Sequence, residues 1–195
     1  MCTPFCESWS IVIMKSMQEL SKVPVGMPLL ADDITEFHAA RLLLLLGICG
    51  VSGRIEGLTK LAKLDFFVRY PEFFNKAAAA ANESIRSASR IVESSMVRYH
   101  YGPWDKRYYE IIAYLRSRGL IQITQEKNTY IFKLTLLGNE KVKLLKKQLA
   151  YKTLCEQMLC VKKAFGQKAG STLKNMIYKV FQEEVTKKTL DEVIE

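Results

Sequence analysis

The sequence is poor in the residues from which metal centres and nucleophile triads are built. Its 195 residues include two histidines, His38 and His100, far apart, and five cysteines with no CxxC spacing. Three residues separate Cys2 from Cys6 and four separate Cys155 from Cys160, whereas zinc ligands come as short, paired Cys/His spacings. The expectation is free thiols, Cys49 among them, in a reducing compartment. No GxxxxGK[ST] phosphate loop, HExxH, GxSxG or PD-(D/E)xK nuclease-like cluster occurs, so no catalytic, cofactor-binding or metal-binding residue is assigned and the chain is expected not to be an enzyme on its own. Long apolar runs are also missing. Leu42–Cys49 has eight residues, interrupted by Gly47, against the roughly 20 that cross a bilayer. The opening MCTPFCESWS lacks the basic region and cleavage site of a secretory signal, and Met17 and Met27 offer alternative starts. A cytoplasmic protein without a membrane span is expected.

What is present fits a folded domain. Hydrophobic residues make up 49% and charged residues 25%, which argues against wholesale disorder. Charge is uneven. Residues 1–53 carry three Lys/Arg against five Asp/Glu, a net of −2, so the rest must hold +11 to reach the total of +9. A basic body calls for an acidic partner, with nucleic acid first, or is simply a solvated surface.

Most of the chain reads as helix. Asp33 with Glu36 resembles a capping box ahead of the buried run Ile34, Phe37, Leu42, Leu45 and Ile48, with Gly47 and Gly50 weakening its end. Glu56–Tyr70 is predicted helical up to Pro71. Leu58, Leu61, Ala62, Leu64 and Val68 share its apolar face, with Lys60, Lys63 and Phe67 opposite. Asp65 and Arg69 fall inside that face four residues apart, the spacing of a structural ion pair. Pro71 opens a helix through the alanines 77–81, and 82–95 is ambiguous. Met96–Tyr101 alternates like a strand, and Gly102-Pro103-Trp104-Asp105 is expected to start a helix with core residues Trp104, Tyr108, Ile111, Ile112 and Leu115. After the hairpin described next, Gly138 is expected to precede one long basic helix carrying Val142, Leu145, Leu149, Leu154, Met158 and Phe165. A last helix from Ser171 to about Val185 buries Leu173, Met176, Ile177, Val180 and Phe181.

The order around that hairpin is specific. The helix ends in Arg118-Gly119-Leu120-Ile121, then come a strand, the turn Glu126-Lys127-Asn128, a strand through Thr129–Thr135, and Leu134-Thr135-Leu136-Leu137-Gly138. The glycine caps the helix, the hairpin is a wing, and the LT pair leads into the next helix. This resembles winged-helix proteins. The predicted fold is mainly α with a small β-hairpin wing, a winged-helix unit extended by additional N- and C-terminal helices. The expected organisation is an N-terminal extension over 1–32, a winged-helix domain over 33–150 with a helical insertion near 71–95, and a C-terminal helical region over 151–195. On a duplex, the helix before the wing would present Lys106, Tyr109, Glu110, Ala113 and Arg116. Lys106, Arg107, Arg116 and Lys127 are the candidate nucleic-acid contacts, better suited to backbone contact than to base reading. Leu145, Leu149, Met158, Met176, Val180 and Phe181 are the candidate partner-binding stripe, packing against the N-terminal helices being an equal contender.

Two blocks narrow the reading: GLTKLAKLDFFVRYP over 57–71 and MVRYHYGPWDKRYY over 96–109. They resemble the middle component of bacterial ABC-three-component systems, the group to which Lamassu-type defence operons belong, over roughly residues 36–150. The resemblance implies a non-catalytic subunit joining an SMC-like coiled-coil ATPase and an effector subunit in a bacterial complex directed against plasmid or phage DNA. It implies hetero-oligomeric partners, contact with non-specific double-stranded DNA through the complex, and no cofactor. The competing expectation is a winged-helix transcription regulator that binds an operator as a homodimer.

Overall fold

The computed structural model describes residues 34–87, 96–99, 102–182, 189–190 and 192–194. Asp33 of the expected capping box, His100 and Tyr101 of the expected strand, and Val185 at the expected end of the last helix lie outside the described residues, as do Cys2, Cys6 and the 1–32 extension.

Helix α1, Thr35–Cys49, forms the centre because its leucine run leaves it no wet face: Leu42 to Leu46 are all buried. It packs against the helices and hairpin that follow it. Gly47, in the last turn of α1, lies close against Val142: an added Cβ there would stand 2.6 Å from Val142 Cγ1. A turn with Gly53 in the left-handed region leads into strand β1, Arg54–Glu56, and helix α2, Leu58–Arg69.

Helix α2 departs from the expected two-faced pattern. Every residue from Leu61 to Arg69 is buried, Lys63 and Phe67 included, and only Lys60 of the expected outer face stays partly exposed. The cause is that neighbours cover it all round, namely α1, the helices near the C-terminus and a short strand. Lys63 meets this burial by donating from Nζ to the Pro103 carbonyl at 2.9 Å. Tyr70 separates α2 from α3, Pro71–Ala80, and its buried hydroxyl accepts from Met96 N at 2.7 Å while donating to the Ile194 carbonyl at 2.9 Å.

The segment Gly102–Trp104 is strand β3, not a helix start. It pairs antiparallel with β2, Met96–Tyr99, which also pairs with β6, Val193–Ile194, in the order β3-β2-β6. Gly102 at φ 93 cannot begin a right-handed helix, and Pro103 is tolerated because β3 is an edge strand. Helix α4, Tyr108–Ser117, starts after Asp105, whose carboxylate accepts from Arg107 N at 3.0 Å.

At the far end of α4 the two sequence signatures become one joint. Gly119 at φ 67 donates to the Arg116 carbonyl and Leu120 N to the Leu115 carbonyl, a Schellman ending. Strands β4, Ile121–Glu126, and β5, Thr129–Leu134, form a hairpin, with β1 on the outer side of β5 in the order β1-β5-β4. Thr135 then caps α5, Leu136–Leu145, accepting from Gly138 N at 3.0 Å and donating to the Gly119 carbonyl at 2.7 Å. Gly138 lies within α5 because its backbone presses on Leu120, where an added Cβ would meet the carbonyl oxygen at 2.0 Å.

The expected single long helix is two. Gln148 is extended, a 3-10 turn covers Leu149–Tyr151, and α6, Lys152–Phe165, follows, with α7 at Gly170–Val180. Residues Thr35–Glu195 make one compact unit, so α6 and α7 share the core of α1 and α2. Phe67, Phe74 and Phe165 pack together at the α2–α3–α6 junction, while Phe66, Phe73 and Phe181 do so toward α7. Among the described residues the fold is mainly helical with two small antiparallel sheets, and no helix is long and apolar enough to cross a membrane.

Candidate functional site

Asp65, Arg69 and Asp105 sit in a buried polar network that anchors the start of α4. Arg41 of α1 donates to Asp65 from Nε at 3.0 Å and from Nη2 at 3.3 Å, and Tyr108 adds its hydroxyl to the same carboxylate at 2.8 Å. Arg69 donates to Asp105 at 2.7 Å, against 3.6 Å to Asp65. The Asp65–Arg69 pair is therefore present but secondary, each partner being held more closely by a residue from another segment. Arg107 closes the array on Asp105 at 2.9 and 3.0 Å.

The electrostatics follow from this geometry. Burial alone would raise the Asp105 carboxyl, but the hydrogen bonds from Arg107 and the charge of Arg69 overcome it and hold the group well below the usual carboxylate range. Burial, with Asp65 beside it, pushes the Tyr108 phenol well above its ordinary value. His38 lies between guanidiniums, Nδ1 2.7 Å from Arg41 and Nε2 2.8 Å from Arg107. A neutral imidazole has one lone pair and accepts from one of them at a time. Every carboxylate of this cluster is occupied by an arginine, so the arrangement fixes helix positions rather than exposing an acid or base.

On the outer side of that anchor lies a groove of about 510 Å³ between α4, the β2–β3 strands and the β4–β5 hairpin. Trp104 forms its floor, stacked on Tyr99 at 5.7 Å, with Tyr109 at 5.9 Å and tilted. Tyr108 meets the other side of the indole edge-on at 5.1 Å, which ties the groove floor to the Asp65 network. Ile123, Phe132 and Tyr130 form the hairpin wall, and Arg116 stands at the side. Tyr109 is 67% exposed and Tyr130 54%, while Trp104 is 7% exposed. The groove is thus an aromatic surface with wet edges, the composition of a protein-binding hot spot.

The other residues singled out in the sequence scatter. Lys106, Arg116 and Lys127 are exposed, Arg116 at the groove and Lys127 in the hairpin turn at φ 54. Arg107 is occupied by Asp105 and His38. The apolar stripe is divided. Met158 and Phe181 are fully buried in the core, Leu145, Met176 and Val180 pack partly against it, and Leu149 is 84% exposed because the break after α5 turns it outward. Met158 and Phe181 are therefore covered by the chain itself. Cys49 is buried, its thiol donating to the Met158 carbonyl at 3.3 Å and pushed up to about 12 by burial.

Sequence reasoning missed Tyr130 and the role of Trp104. The readable signal was on β5, where the alternation Leu134, Phe132, Tyr130 runs one position further than the buried core requires. Comparison of the chain with protein-family models, with curated proteins and with solved structures finds no match in any of the three.

Proposed function

We propose that the chain is a non-catalytic bridging subunit of winged-helix type, which joins an SMC-like ATPase to an effector in a bacterial complex directed against plasmid or phage DNA. The observation that carries this reading is the aromatic groove. In a winged helix that reads DNA, the helix before the wing presents cations and amides to the major groove. Here the surface between α4 and the hairpin offers Trp104, Tyr99, Tyr109 and Tyr130 with Arg116 beside them. That is a surface for protein side chains.

Three further points support the reading. The order α1, β1, α2, α4, β4, β5, with the sheet β1-β5-β4, follows a winged-helix plan into which α3, β2 and β3 are inserted. The blocks that resemble the middle component of ABC-three-component systems supply part of the anchor and of the groove: Asp65 and Arg69 come from the first, and Tyr99, Trp104, Asp105, Arg107, Tyr108 and Tyr109 from the second. The carboxylates of the buried cluster are all committed to arginines.

The test is co-expression with the products of the neighbouring genes, among which this reading requires a coiled-coil ATPase. The expected result is a stable complex recovered through a tag on either protein. A chain that stays a homodimer and prefers one operator sequence at high salt would support the transcription-regulator alternative instead.

A further inference from the structure

The chain's charge is concentrated in a place that neither the anchor nor the groove uses. Residues 141–180 contain ten lysines, no arginine and one glutamate, Glu156, a surplus equal to the whole formal charge of +9. Five of the lysines, Lys141, Lys143, Lys146, Lys147 and Lys152, fall within twelve residues at the corner where α5 gives way to α6, and all five are exposed. Lys163 lies eleven residues beyond Lys152, which returns to the same side of α6 about 16 Å along its axis. Among the described residues, Glu140 and Glu156 lie in the same stretch of chain, both exposed, and Glu36 shares a shallow cleft with Lys141.

We infer that this lysine corner is a docking surface for the phosphate backbone of double-stranded DNA. Several features select that occupant. Lysine is a point charge without the planar fork of arginine, so the corner can attract phosphates but has nothing with which to read bases in pairs. Single strands need exposed aromatic platforms. The exposed aromatics Tyr109 and Tyr130 are in the groove, whereas Tyr151 at this corner is partly buried and stacked on Phe37. A membrane surface needs an apolar face to insert, and the apolar face of α6 (Leu154, Met158, Val161, Phe165) is already in the core. Leu144 and Leu149 are exposed in the same corner, but lysine is depleted where proteins bury a shared interface. The inference does not rest on the bridging role, since a folded chain with this corner would hold DNA with or without an ATPase.

The experiment is fluorescence anisotropy of the full chain with two short labelled duplexes of unrelated sequence, at about 50 and about 200 mM salt. Lys143→Gln/Lys146→Gln/Lys147→Gln is compared with Arg116→Gln/Lys127→Gln, each checked for an unchanged melting curve. The expected result is equal affinity for both duplexes. It should fall steeply with salt, weaken about tenfold or more in the triple variant, and stay within about twofold in the double variant. The slope of log K against log salt should flatten by about 0.9 for each lysine that touches a phosphate. No binding at low salt would overturn the inference, as would equal loss in both variants. So would tighter binding to single strands, duplex RNA or phosphatidylserine vesicles. A triple variant that loses ATPase capture while keeping DNA would reassign the corner to protein contact.

Discussion

Arg41 grips both carboxylate oxygens of Asp65, at 3.0 and 3.3 Å, with neither side chain reaching solvent. The two residues lie on α1 and α2, 24 positions apart, and this contact with its continuation through Arg69, Asp105 and Arg107 joins α1, α2 and the start of α4. Removing one partner strands a buried charge. Asp65→Ala should therefore destabilise the protein by about 3–5 kcal/mol. Replacing Arg41 and Asp65 together by apolar residues of similar volume should cost far less. Replacing Asp65 and Arg69 should not rescue in the same way, because Arg41 would be left without its main partner. Urea unfolding of these variants checks this, and an unchanged midpoint for Asp65→Ala would contradict it.

Gly138 is held by contact rather than by backbone freedom. A methyl group there would meet the Leu120 carbonyl oxygen at 2.0 Å, and the joint cannot yield without losing the Thr135 bonds to Gly119 and Gly138. Gly138→Ala should cost about 1–3 kcal/mol or more, like other overpacked sites, and it should lower the melting temperature. A variant that melts like the parent would mean that the α4–hairpin–α5 joint is looser than its geometry indicates.

Lys63 makes stability depend on pH. Burial, with Lys174 nearby, pulls its ammonium down to about 7 from an ordinary 10.5. Above the folded value the unfolded chain keeps a proton that the folded chain has lost, so stability rises with pH by up to about 1.4 kcal/mol per unit. Cys49 acts in the opposite direction above its ordinary 9.0, because the folded thiol keeps its proton to about 12. The urea midpoint should accordingly climb between pH 7 and pH 9, and Lys63→Met should remove most of that climb. A parent protein whose midpoint is flat across that interval would show that Lys63 stays charged in the fold.

Local signals were legible where a single segment decides the outcome. The Gly119 stop, the two strands about Lys127-Asn128 and the outward residues Lys106, Tyr109, Glu110, Ala113 and Arg116 lie where the pattern places them. What could not be read depends on remote neighbours. Lys63 and Phe67 are buried because elements distant in sequence cover the second face of α2. Gly102–Trp104 became a strand because β2 offers an edge and Gly102 takes a left-handed conformation. The Asp65–Arg69 pair was visible from its spacing, but Arg41, Asp105 and Arg107 come from other segments, and no periodicity announces such partners. The groove needed three segments brought together before five scattered aromatics became one surface.

The proposed bridging role stands or falls on the groove. Tyr109 and Tyr130 are more than half exposed, so truncating them should change stability by no more than about 0.5 kcal/mol. If they are the anchors for the ATPase, their loss should cost about 2 kcal/mol or more of binding. The direct measurement is the Kd of the ATPase for the full chain and for Tyr109→Ala/Tyr130→Ala, with circular dichroism to confirm equal folding. The account predicts that the double variant binds about thirtyfold more weakly or not at all while melting like the parent. Equal affinity for both chains would contradict it.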